Sequence, residues 1–254
     1  MIAGLALMIA VAVSGEEVVG RSSGTTSVSK IETFSFSSKG KATRAKIYLP
    51  AAYETEDNLP AIYLIDFTEQ HFKVATDEFE KVIDGVVQVQ GFDALVVSLE
   101  RIPDIDAEPE VFQEHYQIYK DMASYVDENY TKSVSRTLIG KGSESGIVLM
   151  ALLQDNVEGA VFENFIATDP SGLYATAIID ILESGDIPRH ALCKKLHFSF
   201  STSNDREKCK KLINLIDEAK FPWLQFEFVE YTESNYDNTY SISFPEGIKF
   251  VFGK

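Results

Sequence analysis

The sequence predicts an α/β protein: a mostly parallel, eight-stranded sheet covered by helices on both faces. Three observations carry that expectation. From residue 61 onward, short apolar runs alternate with segments of helical periodicity, which is the pattern of β-α units. Before them, two runs of alternating polarity flank Ser37-Ser38-Lys39-Gly40, which predicts an antiparallel hairpin. Residues 61–65, Ala-Ile-Tyr-Leu-Ile, form a continuous apolar run of the kind buried on both faces of a sheet.

The elements follow in order. Strands are expected at 31–36 and 43–49, and Leu49-Pro50 ends the second because proline cannot donate to a ladder. The strand at 61–65 ends at Asp66, and a helical pattern covers 77–87. A strand at 94–99 leads to a long helix over 110–129, where Val111, Phe112, His115, Ile118, Tyr119, Met122 and Val126 recur at helical spacing. Leu138-Ile139 is a short strand, with a helical run at 147–153. Strands at 165–167, 196–200 and 224–231 are separated by helical patterns at 174–183 and 205–219. Ligands on such sheets bind outside the carboxyl ends of the strands. Residues 66–72, 140–146, 169–173 and 201–206 fall there.

Bulk properties narrow the function classes. A chain of 254 residues, 45% of them hydrophobic, can bury one sizeable core, and residues 31–254 read as a single domain. With 39 acidic against 23 basic residues the formal charge is −16, which repels polyphosphate and argues against nucleic-acid binding. Residues 1–15 are apolar and end in small residues (Ala12-Val13-Ser14), as in a signal peptide; a buried N-terminal helix is the alternative. The run is too short to span a bilayer, so export to the periplasm or the exterior is expected rather than a membrane anchor. Residues 16–30, rich in Ser, Thr and Gly towards their end, read as a flexible lead-in.

In an oxidising compartment Cys193 and Cys209 can pair or stay as free thiols, and the sequence leaves both open. The four histidines, His71, His115, His190 and His197, are scattered, so no metal site is expected. No cofactor motif is visible.

The stretch on which function turns is Arg136-Thr137-Leu138-Ile139-Gly140-Lys141-Gly142-Ser143-Glu144-Ser145-Gly146. A strand, a tight small-residue turn and a helix form the setting of a nucleophile elbow, which holds a serine on a strained turn above the sheet. In the plain register Gly142 takes the nucleophile's place.

The chain resembles the esterase family of α/β-hydrolases that includes enterochelin-esterase-like and esterase-D-like enzymes. The resemblance rests on Ile47-Tyr48-Leu49-Pro50 with Tyr53, on Leu59-Pro60-Ala61-Ile62-Tyr63-Leu64-Ile65-Asp66, and on Tyr125-Val126-Asp127 with Tyr130. It continues through Arg136-Thr137-Leu138-Ile139-Gly140, the segment from Phe162-Glu163-Asn164 to Asp169-Pro170-Ser171, and the closing Gly247-Ile248-Lys249-Phe250-Val251-Phe252. It implies the α/β-hydrolase fold over nearly all of the chain after the leader.

At the site the sequence departs from the family, which carries Gly-His-Ser-x-Gly-Gly at the elbow. Here the serine becomes Gly142 and the glycine two places on becomes Glu144, whose carboxylate would lie near the amides that should hold an oxyanion. The family's histidine follows the last strand, where this chain has Asn235, which cannot accept and return a proton near neutral pH. The resemblance places the acid at Asp205, which is equally placed to cap the next helix.

Other registers would put Ser145, Ser143 or the carboxylate of Glu144 at the turn. The Ser145 register sets the β-branched Ile147 where a small residue is needed. The plain structural role for Ser143 and Ser145 is capping, with Glu144 favourable in a first helical turn. Asp66 and His71 follow the third strand, where the family places substrate-facing residues. Arg101 and the acidic run 104–110 read as a solvated loop. Tyr231, Tyr236 and Tyr240 with Trp223 and Phe226 could line a ligand surface, though core packing explains most of them.

Two functions are expected from this. The first is an exported hydrolase-fold protein that has lost its triad and binds a ligand or partner. The alternative is a divergent ester hydrolase acting on a small carboxylic ester through Ser143, Ser145 or another group.

Overall fold

The computed structural model describes residues 16–17, 28–65, 75–100, 108–155, 160–188 and 193–253. Residues 1–15, Asp66, His71, Arg101, residues 104–107 and His190 lie outside them.

The hairpin forms first, between β2 (Lys30–Ser38) and β3 (Lys41–Leu49). Ser38 faces Lys41 across a two-residue loop, Lys39-Gly40, in which both residues have positive φ (48° and 75°), the turn whose twist matches the flanking strands. Six parallel strands follow: β4 (Ala61–Leu64), β5 (Leu95–Leu99), β6 (Arg136–Lys141), β7 (Asn164–Thr168), β8 (Lys194–Ser201) and β9 (Leu224–Tyr231). These eight are the strands the sequence predicts. A ninth, β1 (Glu16–Glu17), pairs with Lys30 and Ile31 inside the segment expected as a lead-in. The sheet order is β1-β2-β3-β5-β4-β6-β7-β8-β9, antiparallel at β1–β3 and β3–β5 and parallel beyond.

The central strands β4 to β7 are buried on both faces, and their side chains alternate between two cores. Tyr63, Leu138 and Phe165 enter the larger core with α2 (Phe112–Asn129), α3 (Ser143–Gln154), α4 (Gly172–Ser184) and α5 (Arg206–Ala219). Leu64, Ile139 and Ile166 enter the other with α1 (Ala75–Gln88) and α6 (Tyr240–Phe252). Each such aliphatic side chain contributes about 1.5–3 kcal/mol relative to exposure. Helices therefore cover both faces, and the carboxyl ends of β4, β6, β7 and β8 share one edge.

Candidate functional site

The strand β6 delivers Lys141 to that edge and the chain reverses at Gly142 (φ 68°, ψ −126°) before α3 begins at Ser143. This left-handed turn, directly between the central strand and the buried helix, is the elbow. Gly142 is the residue at the turn itself, as in the plain register. Gly140 is needed because a Cβ there would come within 2.8 Å of the Glu144 carbonyl carbon, so the first turn of α3 can lie against the strand. The turn is tied down by Gly142 N–H donating to Thr168 O (2.9 Å) and Ser171 N–H donating to Gly142 O (3.2 Å).

The predicted site residues then separate. Ser145 is fully buried in α3, and its Oγ donates to the Gly142 carbonyl (3.1 Å), so it braces the elbow from below. Ser143 is half-buried at the first position of α3. Asp205 takes the capping role: its Oδ1 accepts from Lys208 N–H (3.1 Å) at the start of α5. Asn235 is exposed, and its Oδ1 accepts from the Asp237 and Asn238 amides (3.0 and 3.3 Å), which shapes the turn into α6. His197 sits inside the sheet, near Gly247 and Phe250 of α6, and His115 is buried on α2; neither is at the elbow. Trp223 belongs to the core, as packing predicts.

What occupies the elbow is Tyr236, one residue beyond Asn235. Its phenolic oxygen overlaps the point at which a Cβ on Gly142 would stand, with Cζ 3.2 Å and Glu144 Oε2 3.4 Å from that same point. A hydroxyl and a carboxylate thus converge where a nucleophile's side chain would begin. The ring is held by Lys141, whose Nζ lies 4.5 Å from its centre and 4.7 Å from that of Tyr240, within cation–π range. Lys141 is itself buried and paired with buried Glu78 of α1 (3.3 Å). Burial, followed by the charges of Glu144, Glu78, Asp169 and Asp237, raises the Tyr236 phenol above its ordinary value, so it stays protonated through the neutral range.

Asp169 completes the cluster. It ends β7 at positive φ (51°), is 1% exposed, and uses Oδ1 to accept from Ser201 N–H (2.6 Å), Ser201 Oγ (3.0 Å) and Asn204 Nδ2 (3.3 Å). Its Oδ2 has no hydrogen-bond partner among the described residues. Beneath it, the hydroxyls of Thr168, Ser199 and Ser243 bond to one another and link β7, β8 and α6. Asp169 follows a fully buried strand, a position the sequence marked only as lying at the correct edge. Nothing in the sequence marked Tyr236 as the residue filling the elbow.

Cys193 and Cys209 are free thiols, one exposed and one buried; burial, reinforced by Asp169, Asp205 and Glu230, pushes the Cys209 thiol up to about 12. Among the described residues no group of three His, Cys, Asp or Glu could hold a metal ion, and no helix is long and apolar enough to cross a membrane.

This architecture is the α/β-hydrolase fold. No protein-family model matches the chain, and no curated protein does. Among solved structures it is similar to the IroE-like serine hydrolase from Shewanella oneidensis, with a TM-score of 0.68 and 17% identity over 87% of this chain and 80% of that one. It is similar to enterobactin hydrolase IroE (TM-score 0.65, 13% identity, 89% and 96% covered). It also resembles the S-formylglutathione hydrolase from Agrobacterium tumefaciens (TM-score 0.58, 15% identity, 90% and 96% covered). These neighbours are of the enterochelin-esterase-like and esterase-D-like kind to which the sequence resemblance points.

Proposed function

We propose that the protein is a hydrolase of small carboxylic esters that works at this elbow without a serine nucleophile. Each structure it resembles above is named as a hydrolase, which supports the ester-hydrolase expectation over the expectation of a module that has lost its chemistry. One observation carries the reading to this chain: the elbow stands in its proper place between β6 and α3, and a protonated phenol and a carboxylate converge on it. The binding-module reading has its own observation, the side-chain-free Gly142 with exposed Asn235 in the base's place.

The test is hydrolysis of nitrophenyl acetate and butyrate by the purified protein above the buffer rate, beside fluorophosphonate labelling. The expected result is turnover without labelling, retained in Ser143→Ala. Absence of turnover from folded protein would overturn the hydrolase reading in favour of binding. Labelling of Ser143 or Ser145 with loss of turnover would restore a serine mechanism. Export is a further proposal, resting on the apolar leader alone; a mature protein recovered outside the cytoplasm with residues 1–15 removed is expected, and recovery of the intact chain from the cytoplasm would count against it.

A further inference from the structure

We infer that Glu144 is the general base of this site, activating water directly for attack on the ester, and that Tyr236 is the donor that holds the resulting oxyanion. The inference rests on the hydrolase reading above and names the groups that would carry it. Gly142 offers no nucleophile, and the inference assigns the reacting oxygen to solvent. Among the described residues, Glu144 Oε2 and the Tyr236 hydroxyl converge on the elbow point. Glu144 is half-buried, so it keeps access to water.

Water gives a proton to the Glu144 carboxylate while its oxygen bonds to the ester carbonyl carbon. The C=O pair moves onto the carbonyl oxygen, which accepts from the Tyr236 hydroxyl and from the amides that open α3, since the first N–H groups of a helix have no intrahelical partner. The intermediate collapses, the C–O bond to the leaving group breaks, and the alkoxide takes the proton back from Glu144. The carboxylic acid product loses its own proton to solvent.

A fixed negative charge beside an oxyanion would oppose the reaction. A general base removes that objection, because the carboxylate is neutralised by the water's proton as the oxyanion forms. The donor also fits its part, since the raised Tyr236 phenol remains protonated through the neutral range. Lys141, braced by Glu78 and lying over the ring, acts as the positioning residue for the phenol.

The test is steady-state hydrolysis of nitrophenyl acetate by wild type, Glu144→Gln, Glu144→Asp and Tyr236→Phe, with circular dichroism and melting to confirm folding. Glu144→Gln is expected to lower kcat by about 10²–10⁴-fold with KM little changed. Tyr236→Phe keeps the ring on Lys141 and removes only the donor; a loss of about 10²–10³-fold in kcat is expected. Glu144→Asp, a displaced base, should fall between wild type and Glu144→Gln. The wild type should slow in deuterium oxide, and Glu144→Gln should lose the low-pH limb of the kcat profile, which a purely structural role would leave in place. Wild-type turnover undiminished in folded Glu144→Gln would overturn this assignment alone. No wild-type turnover would overturn the hydrolase reading with it.

Discussion

The phenolic oxygen of Tyr236 lies within overlap distance of the point where the first side-chain atom on Gly142 would be, so one residue crowds the space another leaves empty. The pair joins the elbow to the loop between β9 and α6, in which a family enzyme would carry its histidine. A Cβ at Gly142 would have to displace the phenol as well as adopt a positive φ.

Gly142→Ala should therefore destabilise the protein by about 1–3 kcal/mol, since φ of 68° is strained for a residue with a Cβ and the phenol must move. In a Tyr236→Ala background the same substitution should cost less, because only the backbone strain remains. Urea denaturation of the four-protein cycle measures the coupling. Equal costs in both backgrounds would show that the hydroxyl does not occupy that space.

The Lys141–Glu78 pair ties the elbow strand to α1 at a buried position. Lys141→Met removes the cation of a buried ion pair and should cost about 3–5 kcal/mol, and the double variant Lys141→Met/Glu78→Gln should recover part of it. Denaturation midpoints decide this. A single variant as stable as wild type would contradict the pairing.

His197 supplies an acid-sensitive element away from the site. Burial lowers its pKa to about 4, against 6.5 for an unperturbed imidazole, and neither ring nitrogen has a hydrogen-bond partner among the described residues. The unfolded chain then binds the proton first, so stability is lost as pH falls from about 6.5 towards 4, by up to about 3 kcal/mol. His197→Leu should flatten that limb between pH 6.5 and 4 in melting curves. A limb of unchanged slope would assign the acid loss elsewhere.

Lys194 works in the opposite direction of pH. Its ammonium is buried, has no hydrogen-bond partner among the described residues, and lies 5.1 Å from the Phe165 ring centre; burial lowers its pKa to about 8 despite Asp155 and Glu163 nearby. The unfolded chain holds this proton up to about 10.5, so the penalty is full below pH 8 and is relieved as pH rises to that value. Lys194→Met should raise stability at pH 7 by about 1–3 kcal/mol and by less at pH 10. A gain independent of pH, or a loss, would refute the burial argument.

How much of this was legible in sequence follows from what each feature depends on. The strands β2 to β9 were readable because alternation and continuous apolar runs such as Ala61-Ile62-Tyr63-Leu64 report burial directly. The elbow was readable because Gly140 and Gly142 mark a close approach and a left-handed turn, both local demands. Which residue sits at the turn was not, since Ser143, Glu144 and Ser145 offer competing registers until the backbone sets Gly142 there. The occupant was hidden for a different reason. Tyr236 meets Gly142 across 94 residues of chain, in a contact made only when β6 and the loop after β9 are brought to one edge. Asp205 resolved towards the helix cap because the geometry of Lys208 N–H is fixed by α5 itself.

The most direct measurement is nitrophenyl acetate hydrolysis by the folded protein after saturating treatment with a fluorophosphonate. Turnover above the buffer rate, unaffected by the treatment, is the expected result for a water-attacking site built on Gly142, Glu144 and Tyr236. No turnover before treatment, or turnover abolished as a serine becomes labelled, would contradict it.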